Sequence, residues 1–250
     1  MDPRTDRLLA PGDIATATAL LTRLPVPFTA DRAAAAAWAY PVAGFFVATL
    51  AAALASLALA FGLPPALAAG LVLAVQVIVT GAMHEDGLAD SADGLWGGWT
   101  RARRLEIMRD SRIGTYGVIA LVLSLGLRWQ ALTLVLAAGL HWPALIAVAV
   151  LSRAVMVALM HHLPHARDDG LSRQTGRPGR DTALLAVALG AVGALLLGGW
   201  AFVLIVVAGL AALAVTSIAR AKIGGQTGDI LGATQQVTEI ALLLTIAALI

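Results

Sequence analysis

The sequence contains no cysteine, and only 13% of its residues are charged. Without cysteine there is no disulfide framework and no thiolate ligand, so a bound metal would be held by oxygen or imidazole. Those donors favour magnesium, manganese or calcium. Lysine is nearly absent as well, since 16 of the 17 basic residues are arginine. The arginines form no continuous basic surface, so no nucleic-acid partner is expected.

Long apolar runs dominate the chain, which is 59% hydrophobic and has a mean hydropathy of +0.85. Those values lie far outside the range of soluble globular domains and indicate an all-α polytopic integral membrane protein whose partner is the lipid bilayer. A helix needs about 20 apolar residues to cross the hydrocarbon core. The apolar runs therefore predict about seven transmembrane helices, within 38–62, 65–83, 113–139, 140–163, 182–199 and 200–218 and in a final run to Ile250.

Polar segments separate these runs within what we expect to be one membrane-embedded catalytic domain over 1–250. They are a cytoplasmic or interfacial lead-in at 1–37, where no cleavable signal peptide is expected, and three inserts at about 84–112, 164–181 and 220–236. An even number of predicted crossings separates each insert from the next, so all three face one side. That side carries 15 of the 17 basic residues and is predicted to be the cytoplasm. Arg128 alone would then face outward.

The first insert begins with the acidic stretch HEDGLADSADGLWGG at 84–98, which holds four carboxylates within nine residues. If this stretch is helical, Asp86, Asp90 and Asp93 lie at i, i+4 and i+7 and share one face. Three anions on one face are tolerated either in full solvent or around a hard divalent cation. The glycines of the stretch disfavour an ordinary solvated helix, and so favour a metal and phosphate site over a solvated acidic loop. Glu85 lies off that face, behind the predicted ligands.

A basic stretch follows, in which Arg109, Asp110 and Arg112 stand beside the glycines of DSRIGTYG. Metal-bound carboxylates and arginines together make a clamp for a diphosphate, because phosphoryl transfer needs cations that neutralise phosphate oxygens. Arg109 and Arg112 are therefore predicted to bind substrate, with Asp110 between them. Positive-inside bias is the alternative, and it is the favoured interpretation of the arginines within 101–104.

The third insert contains the turn KIGGQTGD, in which backbone N–H groups near Gly225, Thr227 and Gly228 could wrap an anion. Asp229 adds a further candidate metal ligand. The turn is not a Walker motif, because no lysine follows its glycines at the required place. A purely structural turn is the alternative.

Two single residues complete the candidate site. His84 directly precedes the acidic run and is placed to touch substrate or to orient a neighbouring carboxylate. Arg153 lies within a predicted span, where a charge is costly, and is a candidate for binding substrate, with snorkelling or a structural ion pair as the alternative. The remaining polar and aromatic residues near span ends are most simply interfacial, namely His161, His162, His165, Trp96 and Trp99.

Three motifs, in order, resemble the cobalamin synthase family. They are HEDGLADSADGLWGG at 84–98, LEIMRDSRIGTYG at 105–117 and GGQTGD at 224–229. The likeness extends to TRLPVP, YPVAG and Gly232-Ala233, at 22–27, 40–44 and 232–233, so it spans nearly the whole chain. Each motif alone is a weak signal, whereas the ordered set is highly specific.

The resemblance implies a transferase for the final lower-ligand assembly step of cobalamin (vitamin B12) biosynthesis. Its substrates would be adenosylcobinamide-GDP and α-ribazole or α-ribazole 5′-phosphate, and its products GMP and adenosylcobalamin or its 5′-phosphate. Asp86, Asp90, Asp93 and His84 would form the catalytic set, with Mg²⁺ as cofactor. The protein would lie in the bacterial cytoplasmic (inner) membrane with its site facing the cytoplasm. Other enzymes of nucleotide-loop assembly are candidate partners, and the sequence is compatible with an oligomer.

A transporter is the rival interpretation, in which Asp86, Asp90, Asp93 and Arg153 would form an ion or substrate path. Against it, the acids cluster in an insert predicted to be cytoplasmic, and no matched pair of broken spans is apparent. A looser similarity links DSADG at 90–94 to the start of the membrane CDP-alcohol phosphotransferase signature, D-x-x-D-G. The rest of that signature is absent, so the likeness is one of chemistry and implies no shared fold.

Overall fold

A computed structural model describes residues 8–250, so the first part of the predicted lead-in, with Arg4 and Arg7, lies outside the described residues. The described residues are helical and contain no β-strand, which confirms the all-α prediction. The α-helices are α1 (Asp13–Leu21), α2 (Tyr40–Ala60), α3 (Pro65–Thr80), α4 (Met83–Gly97), α5 (Arg101–Ile107), α6 (Thr115–Ala137), α7 (His141–His162), α8 (Leu171–Thr175), α9 (Arg180–Ala194), α10 (Ala201–Ile223) and α11 (Gly228–Leu249).

The described helices confirm a polytopic membrane protein. Five helical runs are long and apolar enough to cross a membrane, and the pair α3 and α4, bent by 87° at its break, makes a sixth. The five runs are Ala35–Ala60, Thr115–Ala137, His141–His162, Arg180–Ile223 and Gly228–Leu249.

The run Arg180–Ile223 accounts for the difference between these counts and the predicted seven. Its 44 residues would extend about 66 Å as one helix, roughly twice the hydrocarbon core. The backbone is non-helical at Leu197 and Gly198, near the predicted break. Both ends of the run lie beside the end of α7, because Pro178 O is 2.9 Å from His161 Nδ1 and Gln226 N donates to Pro164 O at 2.8 Å. The run therefore doubles back on itself, and the count of seven crossings stays a prediction.

Two of the predicted inserts are wrong in extent. The acidic stretch forms helix α4, which packs against α6 and α11, so it is not a solvated loop. The third insert shrinks to the short turn at 224–227, because α10 continues to Ile223 and α11 already begins at Gly228. Thr234, Gln235 and Gln236, which belong to the predicted insert, are buried, as are Thr238 and Glu239 of the predicted final span. Their partners are charged groups inside the bundle, which a count of apolar residues cannot reveal.

A sharp bend between α3 and α4 sets the position of the acidic helix. Gly81 and Ala82 both adopt left-handed backbone, with φ of 65° and 59°. A Cβ on Gly81 would collide with the side chain of Arg23, so glycine is required there for packing as well as for conformation. Arg23 also donates its backbone N–H to Val79 O at 2.7 Å. The chain entering from TRLPVP therefore braces the bend.

Helix α7 is the centre of the bundle, with 83% of its most apolar window buried. Helices α2, α9 and α11 pack around it. Alanines line these contacts, with Ala48, Ala51, Ala52 and Ala55 of α2 fully buried. Small side chains let helix backbones approach closely. Because lipid tails are as apolar as the helices, this close van der Waals packing stabilises helix association in a membrane.

Residues of the three predicted inserts contact one another at one end of the bundle. Arg101 Nη2 donates to Ala166 O at 3.0 Å, and Arg104 Nη1 donates to Lys222 O at 3.0 Å. Lys222 Nζ in turn donates to Leu95 O at 2.8 Å. These cations thus tie carbonyls of neighbouring inserts together, a role beyond their positive-inside bias.

Candidate active site

A cleft of about 470 Å³ lies beside α4, between the acidic helix and the loop that leads into α6. Asp86 and Asp90 of α4 line it, together with Arg109 and Asp110 of the loop. The i, i+4 spacing in a helix places the two aspartates on one face, which here is the cleft face. The structure therefore brings together four of the residues predicted from sequence, three carboxylates and one guanidinium.

Close contact between α4 and α11 brings a third carboxylate to the site. A Cβ on Gly87 would lie 2.8 Å from Asp229 O and 3.1 Å from Gly232 Cα. A Cβ on Gly232 would lie 3.2 Å from Met83 O. Only glycine permits this approach, and it seats Asp229, in the first turn of α11, next to the acidic helix. Asp86, Asp93 and Asp229 are all close enough to Asp90 to repel its carboxylate.

Asp93 holds the start of α6. Its two oxygens accept hydrogen bonds from the backbone N–H groups of Gly114, at 2.7 Å, and Gly117, at 2.8 Å. A side chain at either glycine would collide with the Asp93 carboxylate. An anion at a helix N-terminus is favourable, because the first N–H groups of a helix have no partners within it. Asp93 thus has a positioning task, and its membership of the predicted metal set stays a prediction.

The donors fit a divalent cation that is shared with substrate. No group of three or more histidine, aspartate or glutamate side chains among residues 8–250 is arranged as a ready-made metal site. Magnesium, however, is usually held by one or two carboxylates together with substrate phosphates and water. Asp86 and Asp90 at the cleft, with Asp229 behind them, supply such oxygens, and their mutual repulsion favours a cation between them.

The two predicted clamp arginines differ in position. Arg109 lines the cleft and donates from Nη2 to Asp169 Oδ1 of the second insert at 2.7 Å. Arg112 is 88% exposed on its side chain and pairs with Asp110 of its own loop at 2.9 Å. Hydrogen bonds from the Arg112 side chain and backbone hold the pKa of Asp110 below its usual value. Arg109 therefore lies at the cleft, whereas Arg112 contacts its own loop, and the predicted substrate contacts of Arg109, Asp110 and Arg112 stay predictions.

The glycine-rich turn joins two inserts and orients Asp229. Gln226 exchanges backbone hydrogen bonds with Pro164 and Ala166, both at 2.8 Å, and a Cβ on Gly225 would collide with Pro164 O. Thr227 Oγ1 caps α11 by accepting from Ile230 N at 3.2 Å and donates to Asp229 Oδ2 at 3.1 Å. These contacts occupy the turn, and the predicted anion contacts of Gly225, Thr227 and Gly228 stay a prediction.

His84 and Arg153 lie behind α4, away from the cleft. His84 is 2% exposed, and its Nε2 has no hydrogen-bond partner among the described residues; with Gly228 it lines a separate, mostly apolar cavity of about 40 Å³. Arg153 is 3% exposed and donates from Nη1 to Ala149 O at 3.1 Å. A Cβ on Gly44 would lie 2.6 Å from Arg153 Cδ, so the glycine of YPVAG makes room for this side chain. Their predicted contacts with substrate are untested.

The prediction that Arg128 faces outward is wrong, because this residue is 1% exposed inside the bundle. Its guanidinium contacts Glu85 at 2.8 Å and Glu239 at 2.7 Å. It also donates to Gln236 Oε1 at 3.0 Å and to Gln76 Oε1 at 3.2 Å. The prediction failed because the carboxylates that compensate this charge come from α4 and α11, far away in sequence. The network fixes α4 from behind through Glu85, directly beside Asp86.

Arg167 is a site residue that sequence reasoning missed. Its Nη2 lies 3.4 Å from Asp229 Oδ2, and it is close enough to Asp90 to attract that carboxylate. In the sequence it looks like one more arginine of a positive-inside insert. The only local signal is its position directly before Asp168 and Asp169, which a solvated loop would also explain.

Comparison with known proteins gives a consistent family assignment. Residues 13–247 match the family described as cobalamin-5-phosphate synthase. Similar proteins include the adenosylcobinamide-GDP ribazoletransferases of Mesorhizobium japonicum, 47% identical over 93% of this chain and 91% of the relative, and of Bradyrhizobium diazoefficiens, 49% identical over 94% and 93%. That of Azorhizobium caulinodans is 46% identical over 96% of both chains. No solved structure matches the chain.

Proposed function

Since this chain belongs to the cobalamin-5-phosphate synthase family and is a transferase of cobalamin synthesis, we propose that it joins the cobinamide phosphate of adenosylcobinamide-GDP to α-ribazole or α-ribazole 5′-phosphate. The names of the relatives support the substrate. The single observation that carries the proposal is the cleft, where Asp86, Asp90 and Arg109 meet. Carboxylates that can share a cation with phosphate, and a guanidinium beside them, suit transfer of a phosphoryl group.

The reaction exchanges the phosphoanhydride bond of the diphosphate for a phosphoester bond. A ribose hydroxyl oxygen of the ribazole attacks the phosphorus that carries cobinamide, a new P–O bond forms, and the P–O bond to GMP breaks. GMP leaves with the bonding electron pair. We assign the hydroxyl proton to Asp86 or Asp90, which both line the cleft. No oxidation or reduction occurs, so the protein needs to supply geometry, charge and a proton acceptor.

Each residue of the cleft has a separate task in this proposal. Asp86 and Asp90 would hold Mg²⁺ together with the substrate phosphates, and Asp229 would add negative charge near Asp90. When bound, the cation neutralises charge that develops on the phosphate oxygens. Arg109 contacts the diphosphate, and Asp93 fixes the loop that carries Arg109 by anchoring the start of α6. The Arg128 network supports α4 from behind through Glu85.

The proposed activity predicts product formation without a sealed compartment. The purified protein in detergent, given adenosylcobinamide-GDP, α-ribazole and magnesium, is expected to release GMP and form adenosylcobalamin, followed by chromatography. Excess EDTA should abolish turnover, and added magnesium should restore it, because the cleft carboxylates alone leave the phosphates unneutralised.

A transporter would give the opposite result. It would form no GMP in detergent and would act only when reconstituted across a bilayer. Full activity in EDTA would leave the transferase reaction standing and remove magnesium from the proposal.

We further propose that the cleft faces the cytoplasm in the inner membrane, supported by the positive-inside count and by the meeting of the three inserts at one end. A reporter fused after Gly176 should therefore read as cytoplasmic, and one fused after Ile250 as external. The physical reason is that one further α9–α10 hairpin and α11 make three crossings between these positions. Two reporters on the same side would contradict the seven-crossing arrangement while leaving the chemistry untouched.

A further inference from the structure

The Arg167 guanidinium is buried with unused hydrogen-bonding capacity. Its side chain is 12% exposed, and Nε and Nη1 have no hydrogen-bond partner among the described residues. Its ionic contacts are long, at 3.4 Å to Asp229 Oδ2 and 3.4 Å to Asp169 Oδ1. Buried arginine donors are normally satisfied, because an unmade hydrogen bond to a charged group is costly. Arg167 is thus arranged for an acceptor with more oxygens than it now contacts.

Asp169 lies between Arg167 and Arg109. A single oxygen, Oδ1, is 2.7 Å from Arg109 Nη2 and 3.4 Å from Arg167 Nε. Asp169 and Arg109 are both well exposed, at 59% and 51% of their side chains. An exposed ion pair of this kind contributes little stability, so it can be exchanged for another anion at low cost. One carboxylate oxygen therefore stands where two guanidinium groups converge.

We propose that Arg109 and Arg167 form a two-arginine clamp for the diphosphate of a guanosine diphosphate-linked substrate, and that Asp169 occupies the clamp until that diphosphate displaces it. The identity of the substrate rests on the proposed function. A diphosphate offers more charge and more acceptor oxygens than one carboxylate, and guanidinium binds phosphate in a bidentate manner. Arg167 contacts Asp229 and attracts Asp90, so a diphosphate held there lies next to the cleft carboxylates.

The direction of the change in phosphate affinity when Asp169 is removed distinguishes competition by Asp169 from structural support of the loop. If Asp169 competes with phosphate, its loss tightens binding, whereas a residue that merely supports the loop would weaken binding when removed. Asp168 provides a matched control, because it is an adjacent exposed carboxylate that forms no ion pair with Arg109 or Arg167. Asp168→Asn and Asp169→Asn remove the same charge one residue apart, so general electrostatic attraction changes nearly equally in both.

The test is direct titration of the full-length protein in detergent with GDP at fixed ionic strength, by calorimetry. Asp169→Asn is expected to lower the Kd for GDP about two- to fivefold relative to Asp168→Asn, since an exposed ion pair no longer competes. Arg167→Gln is expected to raise the Kd about tenfold or more, because charged hydrogen bonds to phosphate are lost. Arg167→Lys keeps the charge but loses the planar, two-point guanidinium contact, so its Kd should lie between those of the native protein and Arg167→Gln. This variant guards against a folding defect in Arg167→Gln.

Two results would overturn the clamp. One is an Asp169→Asn protein that binds GDP no more tightly than Asp168→Asn, and the other is Arg167 variants with native Kd and native thermal unfolding. The proposed function fails separately, since GDP titration needs no turnover. If the GDP affinities change as expected but the protein forms no product, the proposed reaction is contradicted while the proposed diphosphate site is supported.

Discussion

Asparagine at Asp86 or at Asp90 is expected to lower kcat by about 10²–10³-fold or more, with native thermal unfolding. Both side chains line the cleft, so each substitution removes a charged oxygen donor from the place where the proposed magnesium and the phosphates meet. The backbone of α4 is anchored elsewhere, by Gly87 against α11 and by Glu85 against Arg128, so folding should be unaffected. Steady-state kinetics at several magnesium concentrations would measure the loss.

Asp93→Asn should behave differently, although all three aspartates share one helix. An amide offers one acceptor oxygen where the carboxylate accepts from both Gly114 N and Gly117 N, and its NH₂ group would face a backbone donor. We therefore expect a lowered thermal midpoint as well as lowered activity. Glu106→Gln, an exposed acid 68% accessible on its side chain, is the control for loss of one negative charge at this end of the protein.

Near-native kcat in both Asp86→Asn and Asp90→Asn at limiting magnesium would remove the two carboxylates from the chemistry. Native stability in Asp93→Asn would instead show that the start of α6 does not depend on the carboxylate. The two outcomes are independent, because one concerns the cleft face of α4 and the other its contact with α6.

The span pattern and the acidic helix could be predicted from sequence because both depend on local periodicity. Apolar length gave α6 and α7 to within two residues, at 115–137 and 141–162 against predicted runs of 113–139 and 140–163. The i, i+4 spacing of Asp86 and Asp90 required only that the stretch be helical, which it is. The local sequence pattern is enough to predict a feature that depends on the residues of a single helix face.

The buried polar network could not be predicted in the same way. Gln236 lies in the predicted third insert and Glu239 in the predicted final span, and both are buried, at 1% and 2% exposed, because they face Arg128 of α6. Composition records that these residues are polar but not that their partners lie across the bundle. Arg167 was missed for the same reason, since only the fold brings the second insert to Asp229. An arginine midway along an apolar run was the one available signal for Arg128.

Replacing Arg128 by methionine is expected to destabilise the protein by about 3–5 kcal/mol, the usual cost of removing one partner from a buried charge network. The guanidinium is 1% exposed and contacts Glu85 and Glu239 from two other helices, so its loss leaves two carboxylates buried without their cation. The thermal midpoint in detergent should fall, and activity should fall with it, because Glu85 lies directly beside Asp86 on the helix that forms the cleft.

A neutral version of the network should recover much of that loss. In the triple variant Arg128→Met, Glu85→Gln and Glu239→Gln no carboxylate is left buried without its cation, and replacement of a whole buried charge network is often close to neutral for stability. Arg153, which is also buried and is attracted by both carboxylates, keeps its charge, so the expected recovery is partial. Arg112→Met is the matched control, since Arg112 is also paired with a carboxylate but is 88% exposed, and an exposed pair contributes little. Its midpoint should match that of the native protein.

If Arg128→Met were as stable as the native protein, the buried ion pairs would not be what holds α4, and the close glycine contacts of α4 with α11 would have to suffice. If the triple variant unfolded as early as the single one, the deficit would lie in lost hydrogen bonds to Gln76 and Gln236 or in the buried charge of Arg153, rather than in uncompensated carboxylates.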